Sequence, residues 1–146
     1  MATEKQSDFI TFGIQDFEVL SYSYEKPEES IRKDRIGYNI QFLTGGNADK
    51  EQFWIDIKAT GQYGKKDPII LGEIVTRSIF QVENIKHLFN EDGSVTLSDK
   101  LVTTMLSIAF STTRGALAIK AEGNILAGAI LPLVNPKKLL ENRQAT

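Results

Sequence analysis

"IGYNIQFLTGGNADKEQFWIDIKA" runs from Ile36 to Ala59 and decides the fold class. Apolar and polar residues alternate on both sides of a Gly-rich segment, which is typical of two β-strands that each bury one face. The apolar positions are Ile36, Tyr38, Ile40, Phe42, Phe53, Ile55, Ile57 and Ala59. We therefore predict an antiparallel hairpin with residues 45–50 as its loop.

The strand pattern continues on both sides of this hairpin. A short turn at residues 61–68 leads into Ile69–Val82, a stretch rich in β-branched residues, so the last three strands form a meander. Upstream, residues 9–24 also alternate, but the parity changes between Val19 and Leu20, which predicts a β-bulge or a bend in a long first strand. The polar residues 25–34 between the first two strands are expected to form an exposed crossover connection.

The apolar period then changes from that of a strand to that of a helix. Thr96 and Asp99 make a capping-box-like start, and Gly123 with Asn124 makes a stop. No charge lies between Lys100 and Arg114, so we expect this helix to be buried over more than half of its circumference, partly against another subunit. The predicted oligomer-interface residues are Leu101, Met105, Ile108 and Thr112. A short C-terminal helix is expected from Pro136 to about Arg143.

Strands followed by helices indicate an α+β fold: a four-stranded antiparallel sheet, a long helix and a short final helix. With 146 residues, we expect a single domain over residues 1–146, with residues 1–8 disordered. A net charge of −2 argues against nucleic acid or anionic lipid as a partner. The chain has no cysteine, no apolar run behind its N-terminus, and no apolar stretch long enough to span a bilayer, so we expect a cytoplasmic protein with no membrane partner.

The search for reactive groups predicts no catalytic site, no metal and no cofactor, and therefore no enzyme. His87 is the only histidine, and neither Gly-rich turn has the spacing of a phosphate-binding loop. The carboxylates on the predicted strands fit a solvated sheet face better than an acid–base pair. They are Asp16, Glu18, Asp56, Glu73 and Glu83. Arg114 is the first charge after the apolar half of the helix and is open to three interpretations: pairing with a carboxylate, capping a subunit contact, or a plain boundary residue.

Four segments, taken in order, carry a family resemblance. Residues 12–27 run from an Ile-Gln pair to a Ser-Tyr-Glu-x-Pro ending, and residues 79–85 contain a Phe and close on an isoleucine. Phe110 and Arg114 stand midway in the long helix, and residues 131–140 read LPLVNPKKLL. In order and spacing these segments resemble SecB, the bacterial export chaperone family, over nearly the whole chain.

Two departures from the SecB pattern limit what this resemblance implies. Ser111 and Thr112 stand where the family usually has a proline-tyrosine pair, and the chain lacks the family's longer last helix and acidic tail. That tail is associated with docking to the translocase motor, so this partner is left open. The resemblance implies a divergent SecB-like homo-oligomer, a dimer or tetramer.

In the SecB family, the connection after the long helix helps to form an apolar groove for unfolded chains. The resemblance therefore implies a polypeptide-binding surface that includes Ile125, Leu126, Ile130, Leu131, Leu133 and Val134, to which Tyr22, Tyr24 and Trp54 could add amphipathic contact area. The alternative is that residues 125–134 form a buried lid over the core. The implied function is an ATP-independent holdase that binds non-native polypeptides, including preproteins for export. The alternative is an adaptor or structural protein that binds one specific partner, such as an antitoxin-like client.

Overall fold

The computed structural model describes residues 11–128, 131 and 135–138. Within them, four strands form an antiparallel sheet in the order β1-β4-β3-β2, followed by a helix, a 3₁₀ turn and three helical residues at 136–138. The elements are β1 (Phe12–Tyr24), β2 (Ile36–Asn47), β3 (Gln52–Tyr63), β4 (Ile69–Val82), helix α1 (Asp99–Lys120) and the 3₁₀ turn Ile125–Gly128. The predicted α+β fold is confirmed. The predicted disorder of residues 1–8 and the final helix beyond residue 138 lie outside the described residues.

The meander β2-β3-β4 forms three neighbouring strands of the sheet, and β1 completes it by pairing with β4. Since β1 and β2 lie at opposite edges, residues 25–35 must cross one end of the sheet, as predicted for the crossover connection. This connection ends in a short 3₁₀ turn at Lys33–Arg35. Most residues of this connection are exposed, and part of it lies beside the first residues of β4.

The β1 strand contains two bulges, which leave Gln15 and Leu20 without a partner in the register with β4. The second bulge lies where the change of parity predicted it. Val19 pairs with Thr76 before that bulge, and Tyr22 pairs with Ile74 after it. An extra residue turns every later side chain to the opposite face, so this bulge keeps the tyrosines at the end of β1 on the core side.

Helix α1 packs on one face of the sheet and buries an apolar stripe there. Its buried residues are Val102, Met105, Leu106, Ala109, Phe110, Thr113 and Leu117. At the centre of this contact the Thr76 and Thr113 hydroxyl oxygens lie 2.7 Å apart, fully buried. Thr113 already donates to the Ala109 carbonyl, so Thr76 is the donor in this pair. The bond satisfies both buried hydroxyl groups and sets the position of the helix along β4.

Two element boundaries differ from the sequence prediction. Ser98, not Thr96, is the N-cap of α1, because its Oγ accepts a hydrogen bond from the Leu101 amide at 3.2 Å. In the hairpin, β2 continues to Asn47, so Gly45 and Gly46 belong to the strand rather than to the loop. The turn residue Glu51 has a φ of 55°, in the left-handed region, which shows where the chain reverses direction.

By length and composition α1 would also pass as a membrane-spanning helix. Core helices of soluble proteins pass the same test, and α1 buries seven of its 22 residues in the described part of the chain.

Candidate functional site: a lid turn seated on the sheet

After α1 the chain reverses at Gly123, whose φ of 88° lies in the left-handed region, and returns to the sheet as the 3₁₀ turn Ile125–Gly128. We call this segment the lid turn. Asn124 holds it in two ways: its Oδ1 accepts a hydrogen bond from the Leu126 amide at 2.9 Å, and its Nδ2 donates to the Tyr22 hydroxyl at 3.0 Å. The lid turn is therefore tied to the end of β1.

The Leu126 side chain lies in a depression in the sheet that two glycines create. Gly61 and Gly72 pair with each other across β3 and β4, so they share one face of the sheet. A Cβ atom added at Gly61 would lie 2.9 Å from Leu126 Cδ2, and one at Gly72 would lie 2.7 Å from Leu126 Cδ1. Only hydrogen at both positions leaves room for the leucine, which is 2% exposed.

Two tyrosines border this depression on either side. Tyr24 pairs with Gly72, and Tyr38 pairs with Gly61, which gives a row Tyr-Gly-Gly-Tyr straight across the four strands. We call these four residues the glycine socket. A single Gly inside a strand pattern indicates close approach by another part of the chain. That signal is present at positions 61 and 72 of the sequence, but their pairing is visible only in the structure.

The crossover connection separates two clefts next to the socket. One cleft, of about 600 Å³, lies between the connection and residues 123–125, with Tyr24 in its lining. The other, of about 360 Å³, lies between the connection and the beginning of β4. Ile69 (55% exposed) and Ile70 (61% exposed) both contribute to the lining of this second cleft, and because they are consecutive in β4 their side chains start from opposite faces of the sheet. Apolar surface of this kind is available to a ligand without any change in the core.

The structure brings together four of the residues expected to bind polypeptide: Tyr22, Tyr24, Ile125 and Leu126. Leu126 and Leu131 are each only 2% exposed, so at these two positions the chain itself provides the contacts, as the lid alternative requires. Three of the other expected residues, Ile130, Leu133 and Val134, lie outside the described residues. Their role in binding stays a prediction.

Trp54 does not join this group, because it lies on the opposite face of the sheet. It pairs with Gly45, and its indole carries the Arg77 guanidinium 5.3 Å from the ring centroid. Arg77 also donates two hydrogen bonds to Asp56, at 2.7 and 2.9 Å, and this carboxylate raises the pKa of the guanidinium. Arg77, Asp56 and Trp54 thus form a cross-strand cluster, in which the two charges pair with each other.

Gly45→Ala is expected to displace the Trp54 indole, since a Cβ atom there would overlap with indole Nε1. The indole can rotate away, so we expect a loss of only about 1 kcal/mol in the free energy of unfolding, together with red-shifted tryptophan emission. Trp54 is the only tryptophan, which makes the fluorescence unambiguous. The control is Gly37→Ala on the same strand, where a Cβ atom meets nothing within 4 Å. Equal emission spectra for the two variants would contradict the contact.

The residues expected at an oligomer interface occupy different environments. Met105 is fully buried against the chain's own sheet, so it is a core residue and not part of an exposed interface. Met105 belongs to the buried stripe of α1 that packs on the sheet. Leu101, Ile108 and Thr112 are half-buried, and the Thr112 hydroxyl donates to the Ile108 carbonyl at 2.8 Å.

Arg114 is half-buried and lies over the ring of Phe110, with Cζ 5.6 Å from the ring centroid. Among the described residues no carboxylate forms an ion pair with it, and its Nε is buried without a hydrogen-bond partner. In the same part of the chain, no group of three His, Asp or Glu side chains is arranged to hold a metal ion.

Burial raises the pKa of Tyr38 to about 12, and the nearby Tyr22 hydroxyl adds to this effect. The phenol in the unfolded chain has its ordinary pKa of about 10. Since the folded pKa is the higher one, the stability contributed by neutral Tyr38 is complete below about pH 10 and is lost as the pH rises towards about 12. Urea titrations should show a steeper decline between these pH values for the wild type than for Tyr38→Phe. Equal slopes would mean that Tyr38 ionises as readily in the folded state.

No protein-family model matches the sequence, and no curated protein matches it either. Among solved structures, a SecB-like chaperone from Mycobacterium tuberculosis, in complex with a peptide from the HigA1 antitoxin, matches with a TM-score of 0.52 and 13% identity, over 84% of this chain and 89% of that one. A protein of unknown function from Streptococcus agalactiae matches at 14% identity over 76% of this chain and 90% of that one, but its TM-score of 0.29 supports no conclusion. The order of the strands, the crossover and the long helix therefore form the fold of a SecB-like chaperone.

Proposed function

We propose that this protein binds segments of non-native polypeptide as an ATP-independent holdase, without covalent chemistry. The observation that carries the proposal is the cleft at the beginning of β4, where Ile69 and Ile70 are more than half exposed beside the polar residues of the crossover connection. These exposed isoleucines provide apolar area that an extended chain lying across this end of the sheet can cover, at roughly 25 cal/mol per Å² buried.

The solved structure with the same fold supports this proposal, because that chaperone was captured with a bound peptide. The same fact supports the second candidate, an adaptor that binds one specific partner, since that peptide comes from an antitoxin. Both candidates use an apolar surface and need no reactive group. They differ in how many partners the surface accepts.

We expect the protein to suppress the aggregation of a reduced, unfolded model protein without ATP. The double variant Ile69→Ser/Ile70→Ser should lower client affinity by about tenfold, equivalent to about 1.4 kcal/mol, while the melting temperature changes by a few degrees at most. The control is Leu43→Ser, because Leu43 is 73% exposed but its side chain lies on the face with Trp54. Equal losses in both variants would contradict the cleft as the binding surface. Absence of suppression, together with one tight stoichiometric partner, would favour the adaptor.

We also propose that the protein is a cytoplasmic homo-oligomer, a dimer or a tetramer. The exposed face of α1 supports this, because none of its exposed residues between Lys100 and Lys120 is charged, and Arg114 in that range is half-buried. Its exposed residues there are Thr104, Ser107, Ser111, Gly115, Ala118 and Ile119. A face of small uncharged residues suits close packing against a second helix. Light scattering at micromolar concentration should give a mass of two or four chains, and a clean monomer would refute the proposal.

A further inference from the structure

We propose that Leu126 is an intramolecular plug: it occupies the glycine socket in place of a leucine-sized side chain of a bound polypeptide, and it must leave before that side chain enters. The inference rests on the proposed polypeptide-binding function. It adds a specific subsite and a reason why the free protein keeps that subsite closed.

The shape of the socket is the first reason. Glycine weakens a strand, so two paired glycines in central strands require an explanation. Neither Gly61 nor Gly72 has a positive φ, so the backbone does not need glycine at these positions. What both provide is space: at Gly61 for the branched end of Leu126, and at Gly72 for that same end and for the Ser23 carbonyl oxygen of the neighbouring strand. The structure itself thus shows which side chain fits.

The weak attachment of the lid turn is the second reason. Within the described part of the chain, the backbone hydrogen bonds of residues 124–127 are made to each other and to Ala121, and none goes to a strand. The hydrogen bond that ties the turn to the sheet is the one from Asn124 to the Tyr22 hydroxyl, at 3.0 Å. Leu126 can therefore leave the socket without breaking any strand pairing, at the cost of that bond and of its apolar contacts.

The position of the socket is the third reason. Tyr24 forms one wall of the socket and also lines the cleft of about 600 Å³ between the crossover connection and residues 123–125. A polypeptide that lies in this cleft therefore contacts Tyr24 of the socket and Ile125, the residue before Leu126. Once the plug has moved, a leucine of that polypeptide meets the Gly61–Gly72 floor and the two tyrosine rings.

The test measures the binding of a short fluorescein-labelled peptide that carries a single leucine among serine and glycine, by fluorescence anisotropy. If the open socket is populated about a tenth of the time in the wild type, Leu126→Ala should bind this peptide about tenfold more tightly. Adding Gly61→Ala to Leu126→Ala should remove the gain, since its Cβ atom fills the floor and meets only side-chain ends. A peptide with serine in place of leucine should show no gain.

Leu106→Ala is the matched control, because it makes the same truncation at a fully buried position of α1, away from the socket. If Leu106→Ala raised the affinity equally, the gain would reflect general loosening of the core, and the plug would be refuted.

If Leu126→Ala does not fold, Leu126→Val shortens the plug with less loss of volume and should give a smaller gain. Unchanged or weaker binding by a folded position-126 variant overturns the plug but leaves polypeptide binding intact. If neither the wild type nor any variant binds the peptide or suppresses aggregation, both proposals fail.

Discussion

Met105→Asp is expected to remove most of the stability of the fold. Met105 is fully buried between α1 and the sheet, and it belongs to the hydrophobic core cluster. A carboxylate there would lose its hydration without gaining a partner, which costs at least about 4 kcal/mol. Since domains of this size are stable by about 5–15 kcal/mol, urea titration followed by circular dichroism should show a chain that is largely unfolded or close to it.

Lys100→Asp is the control for this variant, because it places the same charge on the same helix at an exposed position outside the proposed subunit interface. Its free energy of unfolding should stay within about 0.5 kcal/mol of the wild type. If Lys100→Asp were as damaging as Met105→Asp, the loss would come from the added negative charge on α1 and not from its burial in the core. If Met105→Asp were as stable as the wild type, the packing of α1 on the sheet would be wrong.

Gly72→Ala is expected to cost about 3 kcal/mol in the free energy of unfolding. A Cβ atom at this position would lie 2.6 Å from the Ser23 carbonyl oxygen and 2.7 Å from Leu126 Cδ1. The Leu126 side chain can move, but the Ser23 carbonyl oxygen is a backbone atom of the neighbouring strand β1. The end of β1 must therefore separate from β4, and the Tyr22 and Tyr24 side chains lose their positions on the core face.

Gly13→Ala tests whether this loss comes from the contact or from any glycine replacement in the sheet. Gly13 pairs with Gln81 across the same two strands, and a Cβ atom there meets nothing within 4 Å. We expect its melting curve to coincide with that of the wild type or to move slightly upwards, since alanine restricts the unfolded chain. A similar loss in both variants would contradict the crowding at Gly72.

Local patterns in the sequence were sufficient for the sheet and for the helix. Alternation identified all four strands and placed the bulge at Val19 and Leu20, because burial of one face imposes a period of two on the side chains. Boundaries were less accurate where tertiary contacts override local preference. The composition of the segment predicts Gly45 in the hairpin loop, but Gly45 lies in β2, where it pairs with Trp54. The Trp54 indole occupies the space that a side chain at this position would need.

The candidate site shows the same division more clearly. The sequence determined that residues 125–134 are apolar and follow the helix, and it left groove and lid as alternatives, because composition is the same for both. Only the tertiary structure decided that Leu126 is buried, that Trp54 lies on the far side of the sheet, and that Met105 faces the core. The physical reason is that the socket is made of absent side chains. Gly61 and Gly72 belong to two different strands, and the space they leave exists only when β3 and β4 pair in register.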